Sequence, residues 1–137
     1  MKWLLAGIIG CMGVLTPAFA QEDDAAAKIE AVIESQFSAF ASDDAGLAFS
    51  YASPLIQSIF VNPETFRRMV RGSYPMIWAP KDIQLLGLRN DGGRRLQRVF
   101  VKDQNGAAHL FDYEMVMVDG IWRINGVFPV EQQQFGV

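Results

Sequence analysis

The side chains best suited to chemistry gather in one stretch, where His109, the only histidine, is followed by Asp112, Tyr113 and Glu114. A histidine beside carboxylates is the raw material of nucleophilic or general acid-base catalysis, but no Gly-x-Ser-x-Gly elbow accompanies it, so a triad lacks its nucleophile. The plainer reading of His109 is a partly exposed side chain beside a turn. Metal binding has no better footing: one histidine and one cysteine, Cys11, leave carboxylates alone, and these show no calcium-loop spacing. Phosphate-cradling glycine loops are missing. No metal and no cofactor is therefore expected. Asp112 and Glu114 alternate with an apolar set and should face away from the core, while Glu30 or Glu34 could reach inward from a helix. The polar groups expected to face inward are Gln97 and the Tyr113 hydroxyl, which can orient a ligand but are poor acid-base catalysts near neutral pH.

These residues must be positioned by strands. From Asp82 the apolar pattern alternates, predicting four strands over about Ile83 to Arg89, Arg95 to Lys102, Ala108 to Val118 and Ile121 to Phe128, joined as an antiparallel meander. Asp119-Gly120 suits a tight type I′ turn, and counting from it pairs Val118 with Ile121, Met117 with Trp122, Met115 with Ile124, Tyr113 with Gly126 and Phe111 with Phe128. Trp122 is then the central core residue of the last hairpin, and Val116 and Val127 fall on the wetter face. The middle turn admits two registers. A two-residue Asn105-Gly106 turn leaves Arg98 on the apolar side; a three-residue loop with Gly106 left-handed and Asp103 at its start places Arg98 opposite Asp112. We take the second, which pairs opposite charges on the wet face.

Upstream, the chain reads as helices. Ile29, Val32, Ile33, Phe37 and Phe40 form one apolar stripe on a helix beginning near Ala25 behind Glu22-Asp23-Asp24. Ser42-Asp43-Asp44 closes it and caps a second helix carrying Leu47, Phe49 and Tyr51. Ser53-Pro54 and Asn62-Pro63 each join a capping side chain to a proline at the first helical position, so two short helices follow. The first presents Leu55, Ile56, Ile59 and Phe60, and the second Phe66, Met69 and Val70. The segment from Tyr74 to Pro80, aromatic and bracketed by prolines, should be an extended connection.

With 137 residues, half of them hydrophobic, the chain suits one compact domain. Residues 1–20 read as a secretory signal peptide, with Lys2, an apolar run from Leu4 to Leu15, and an Ala18-Phe19-Ala20 cleavage site; the run is shorter than a membrane span requires. A lipoprotein alternative, with Cys11 as the lipidated residue, lacks a polar tether after it. Cleavage leaves residues 21–137 as one α+β domain without a cysteine, hence without an internal disulfide, in a periplasmic or secreted location. The net charge of −3 argues against nucleic acid as a partner, and no membrane association is expected after cleavage. Arg67, Arg68, Arg71, Arg94, Arg95 and Arg98 read as solvated faces.

Helices followed by a curved antiparallel sheet ending in Asp119-Gly120-Ile121-Trp122-Arg123-Ile124 resemble the cone-shaped nuclear transport factor 2-like superfamily, which includes ketosteroid isomerases. More narrowly, Ala52-Ser53-Pro54-Leu55-Ile56-Gln57, Phe60 with Asn62-Pro63 and Phe66, the Met69-Val70-Arg71 to Tyr74-Pro75 run, and Trp122-Arg123-Ile124-Asn125-Gly126 resemble a secreted bacterial family catalogued as domain of unknown function 4864. The resemblance implies helices on a curved four-stranded meander sheet with a pocket at its open end. That pocket would be lined by Tyr74, Trp78, Gln97 and Tyr113, a composition suited to a small apolar ligand with one or two polar atoms. A filled cone, with Gln97 bonded to the Tyr113 hydroxyl or a water, is the competing reading. Three function classes stand: a non-catalytic module binding a small ligand or protein partner, an isomerase- or dehydratase-type enzyme using the pocket, and a structural domain forming a homodimer through its outer sheet face.

Overall fold

A computed structural model describes Gly13 and residues 18–131, with side chains from Asp24 onward. The expected leader, up to the last residues before Ala20, lies outside the described residues. Among the described residues, five helices, α1 (Ala18–Ala41), α2 (Ala45–Ser50), α3 (Pro54–Phe60), α4 (Pro63–Ser73) and α5 (Pro75–Trp78), precede four strands, β1 (Asp82–Asp91), β2 (Arg94–Lys102), β3 (Ala108–Val118) and β4 (Ile121–Val130). The architecture is α+β: helices pack on one face of an open antiparallel sheet in the order β1-β2-β3-β4, giving a cone-like fold.

The apolar stripe of α1 makes the core. Ile29, Ile33, Phe37 and Phe40 are buried and Val32 packs beside them, against Val99, Val101, Phe111 and Tyr113 of the sheet. Helix α1 starts before Ala25 and runs through the expected cleavage junction at Ala20-Gln21. Glu34 is exposed and Glu30 lies on the flank, so neither carboxylate joins the buried stripe. The three caps are as the side chains dictate: Asp44 accepts from the Leu47 amide at 3.1 Å, Ser53 from Ile56 at 3.3 Å and Asn62 from Thr65 at 2.8 Å. The aromatic connection differs from its expected extended form, because Pro75 occupies the first position of a helical turn whose Trp78 and Ala79 amides bond to Tyr74 and Pro75. Proline at that position favours helix, and Pro80 restricts only Ala79 before it.

In the sheet, the middle turn takes the three-residue form. Arg98 pairs with Asp112 and Lys102 with Ala108, and Gly106 has φ +83°. The last turn at Asp119-Gly120 has two positive φ angles, and Met117 pairs with Trp122 and Met115 with Ile124. Beyond Ile124 the register departs from the count. A bulge at Asn125 pairs Glu114 with Gly126, Tyr113 with Val127 and Phe111 with Pro129, which turns Val127 toward the core and Phe128 outward. One extra residue in a strand exchanges the faces of everything after it. Trp122 is also less central than its partner implied. The tip of the hairpin overhangs the core, with Met117 and Ile121 each 52% exposed, and Trp122 packs only against the cluster's margin. The outer edge of β4 is partly closed by the chain before α3, where the Ser53 amide donates to Ile124 O and the Ile124 amide to Tyr51 O.

Candidate functional site

Helices α3, α4 and α5 stand off from β3 and β4 and leave a cavity of about 410 Å³ between them. Its walls are Phe40 from α1, Ile56 and Phe60 from α3, Phe66, Met69 and Val70 from α4, Ile77 from α5, and Ile124 and Val127 from β4. The short helices create it: each is begun by its own proline, behind a side-chain cap in α3 and α4, so none is as long as α1, which lies across the sheet. Leu55 and Ile59, one helical turn apart on α3, also line it and are 55% and 59% exposed. Phe128, turned outward by the bulge, completes the apolar rim.

Of the four residues expected at the pocket, Tyr74 and Tyr113 line this cavity; Trp78 and Gln97 do not. Trp78 packs on Phe40 with ring centroids 5.4 Å apart and is overlaid by the guanidinium groups of Arg71 and Arg67. Gln97, fully buried, donates from Nε2 to Leu86 O at 2.8 Å and Arg98 O at 3.0 Å, filling the place where β1 bulges at Leu86-Gly87. Its bond is thus to the backbone and not to the Tyr113 hydroxyl.

Tyr113 is the chemically distinct group of the cavity. Its ring packs on Phe37 at 6.2 Å, the residue is wholly buried, and its hydroxyl has no hydrogen-bond partner among the described residues. Burial pushes the phenol above its ordinary pKa, so the hydroxyl keeps its proton and can donate. An unpaired buried hydroxyl costs about 1–3 kcal/mol. Gln36, also on the wall, donates to Ala48 O at 3.1 Å.

At the rim runs a polar chain that alternation along the strands had turned away from the interior. Ser53 Oγ donates to Asn125 Oδ1 at 2.7 Å, and Asn125 Nδ2 donates to Glu114 Oε2 at 3.1 Å. Glu114 lines the cavity together with its neighbour Tyr113, contrary to the expectation that it faces wholly away. Its pairing partner is Gly126, which brings no side chain to that wall, and the bulge at Asn125 carries the chain around the edge. Gly126 was the available signal, since glycine inside a strand often marks a bulge. Leu55, Ile59 and Asn125 carry no chemical motif, and only their placement makes them part of the site.

The other titratable groups are engaged elsewhere. On the outer sheet face Asp112 accepts from Arg89 at 3.0 and 2.7 Å and from Arg98 at 3.1 and 3.2 Å. The Arg89 hydrogen bonds, aided by Arg98 and opposed by burial, hold its pKa at about 2. His109 Nε2 lies 2.8 Å from Asp103 Oδ2 beside the middle turn, with its ring stacked on Phe111. Among the described residues no three His, Cys, Asp or Glu side chains come together as a metal site, and no helix is long and apolar enough to cross a membrane.

Residues 22–137 match the family described as Domain of unknown function (DUF4864), and the chain belongs to that family. No curated protein and no solved structure matches it.

Proposed function

For a member of this family, we propose a non-catalytic binding module, exported from the cytoplasm, whose cavity takes a small and largely apolar ligand carrying one hydrogen-bond acceptor. The observation that carries the reading is Tyr113, which lines a cavity of about 410 Å³ and whose fully buried hydroxyl has no partner among the described residues. That volume falls in the range of small-molecule sites, and such sites pair apolar walls with a few directed polar groups. A carbonyl or hydroxyl oxygen on the ligand would satisfy the phenol and remove the cost of leaving it unpaired. The isomerase or dehydratase reading would need a base on the same wall. Glu114 is the carboxylate there, but Asn125 occupies one of its oxygens, which sets that reading second. Export rests on the leader-like residues 1–20, and intact mass of the protein after secretion should begin at Gln21.

A thermal-shift screen of small apolar alcohols, ketones and esters tests the binding reading. Compounds that fit should raise the wild-type midpoint. Tyr113→Phe should weaken them by about five- to tenfold, the worth of one hydrogen bond, and leave the unliganded protein as stable as before or slightly more so. A panel with no effect on the wild type overturns the reading, as does a Tyr113→Phe protein that binds every hit unchanged.

A further inference from the structure

Among the described residues the cavity's lining includes one formally charged residue, and it is a carboxylate. Glu114 stands at the rim, with its side chain 15% exposed. Oε2 accepts the Asn125 amide, and Oε1 has Arg94 Nε at 3.8 Å. That arginine contact is at the limit of an ion pair, and Arg94 is half exposed and lies over the Phe128 ring, so solvent screens most of its effect. Asn125 cannot turn away to serve another acceptor without cost, because its Oδ1 already holds Ser53. The result is a carboxylate held by a neutral amide at the mouth of an apolar cavity, with Tyr113 in the same lining.

We propose that the site selects its ligand by charge, taking neutral and cationic amphiphiles, above all apolar amines, and refusing apolar carboxylates such as fatty acids. This inference rests on the binding reading above and names the class within it. An ammonium group at the rim would meet Glu114 in a partly water-excluded setting, where a charged hydrogen bond is stronger than a neutral one. A ligand carboxylate in the same place would face a like charge at short range, with a screened arginine as its sole relief. The apolar body would lie along Leu55, Ile59 and the inner walls, which carry no charge of either sign.

Isothermal titration of the purified protein with octylamine, 1-octanol and octanoate at pH 7 tests it, since the three share one apolar chain and differ in head-group charge. Octylamine should bind at least about tenfold more tightly than octanoate, the worth of one charge-assisted contact, with octanol between them. Glu114→Gln should close the gap between amine and carboxylate. High salt should narrow the wild-type gap, a measurement that stands whether or not the variant folds. Octanol binding with no gap between amine and carboxylate, or a gap that survives both Glu114→Gln and high salt, overturns the charge selection and leaves the binding reading in place. If octanol and the other two all fail to bind, the binding reading itself falls.

Discussion

Asp112 and Tyr113 are neighbours on β3 and face opposite sides of one sheet, yet their surroundings are opposites in kind. On the outer face each oxygen of Asp112 is met by guanidinium hydrogens from two arginines. On the inner face the Tyr113 hydroxyl has no hydrogen-bond partner among the described residues. Around Asp112 the packing continues, with Leu96 almost wholly buried on the same face. Around the cavity it stops, with Leu55 and Ile59 exposed and the α3–α4 junction strained. There Val61, 76% exposed, has φ +73° and ψ −46°, and the Asn62 amide donates to Phe60 O at 2.8 Å. That is a γ-turn of the rare hand, in a β-branched residue that disfavours positive φ. Natural domains satisfy buried polar groups and avoid such strain where only stability is at stake, and unsatisfied or strained positions concentrate at sites with another task. The comparison teaches that the outer face of β2 and β3 is the finished scaffold and the α3 side of the cavity is the part kept open.

If so, removing the partner on the finished side should have the largest effect. Asp112→Ala leaves Arg89 and Arg98 beside each other without their shared carboxylate. The arginines are partly exposed and can turn to solvent, so the expected cost is about 2–3 kcal/mol, below that of a fully buried pair. Equilibrium denaturation measures it, and a loss within about 0.5 kcal/mol would make the cluster ordinary surface.

Acid should loosen the same cluster more gently. The Asp112 carboxyl titrates at about 2 in the folded protein against 3.8 ordinarily, so folding favours its charged form. The stabilisation is complete above about pH 4 and is lost as pH falls through 2; allowing for solvent around the arginines it amounts to about 1–2 kcal/mol. Denaturation midpoints across that window should therefore fall more for the wild type than for Asp112→Ala. Equal slopes in the two proteins would remove Asp112 from the account.

Most of the finished side could be read from residue types. Asp119-Gly120 and Gly106 announce their turns, and the register that sets Arg98 against Asp112 followed from the turn preference of Asp103 and Gly106, from opposite charges on the wet face and from apolar residues on the other. Ser53-Pro54 and Asn62-Pro63 announced α3 and α4 because a cap and its proline act over four residues. The open side was harder to read, since it depends on where short helices end up and on one extra residue. The bulge at Asn125 moves Phe128 out and Val127 in, and Gly126 was its sole local mark. Gln97 was correctly placed inside, but the backbone it bonds belongs to a second bulge at Leu86-Gly87. Trp78 went to the outside of Phe40 because Pro75 starts a helical turn where an extended run was expected.

Strain at the cavity's lip offers a prediction of opposite sign. Glycine tolerates positive φ, and Val61 buries little to lose, so Val61→Gly should stabilise the protein by about 1 kcal/mol after the added freedom of the unfolded chain is counted. Thermal denaturation would show a midpoint a few degrees higher. A lower midpoint would mean that the valine side chain contributes more than its turn costs.

The smallest stability effect should come from the cavity's exposed rim. Leu55 and Ile59 lie on one side of α3, more than half exposed, and glutamine matches them closely in helix preference. In a domain whose rim served only to cover the core, the double change Leu55→Gln with Ile59→Gln would uncover apolar walls and cost well over 1 kcal/mol. In a domain whose rim is the entrance of a binding site, the area lost from water is already small without ligand, and the free protein should stay within about 0.5 kcal/mol of wild type. The difference should emerge when an apolar compound is present. Each side chain would bury its exposed part against the ligand, at roughly 25 cal/mol per Å², so the double variant should lose the thermal shift that such compounds give the wild type. Denaturation of both proteins, with and without 1-octanol, separates the two readings: unchanged stability with a lost shift marks an entrance, whereas a destabilised variant that retains its shift marks a lid over the core.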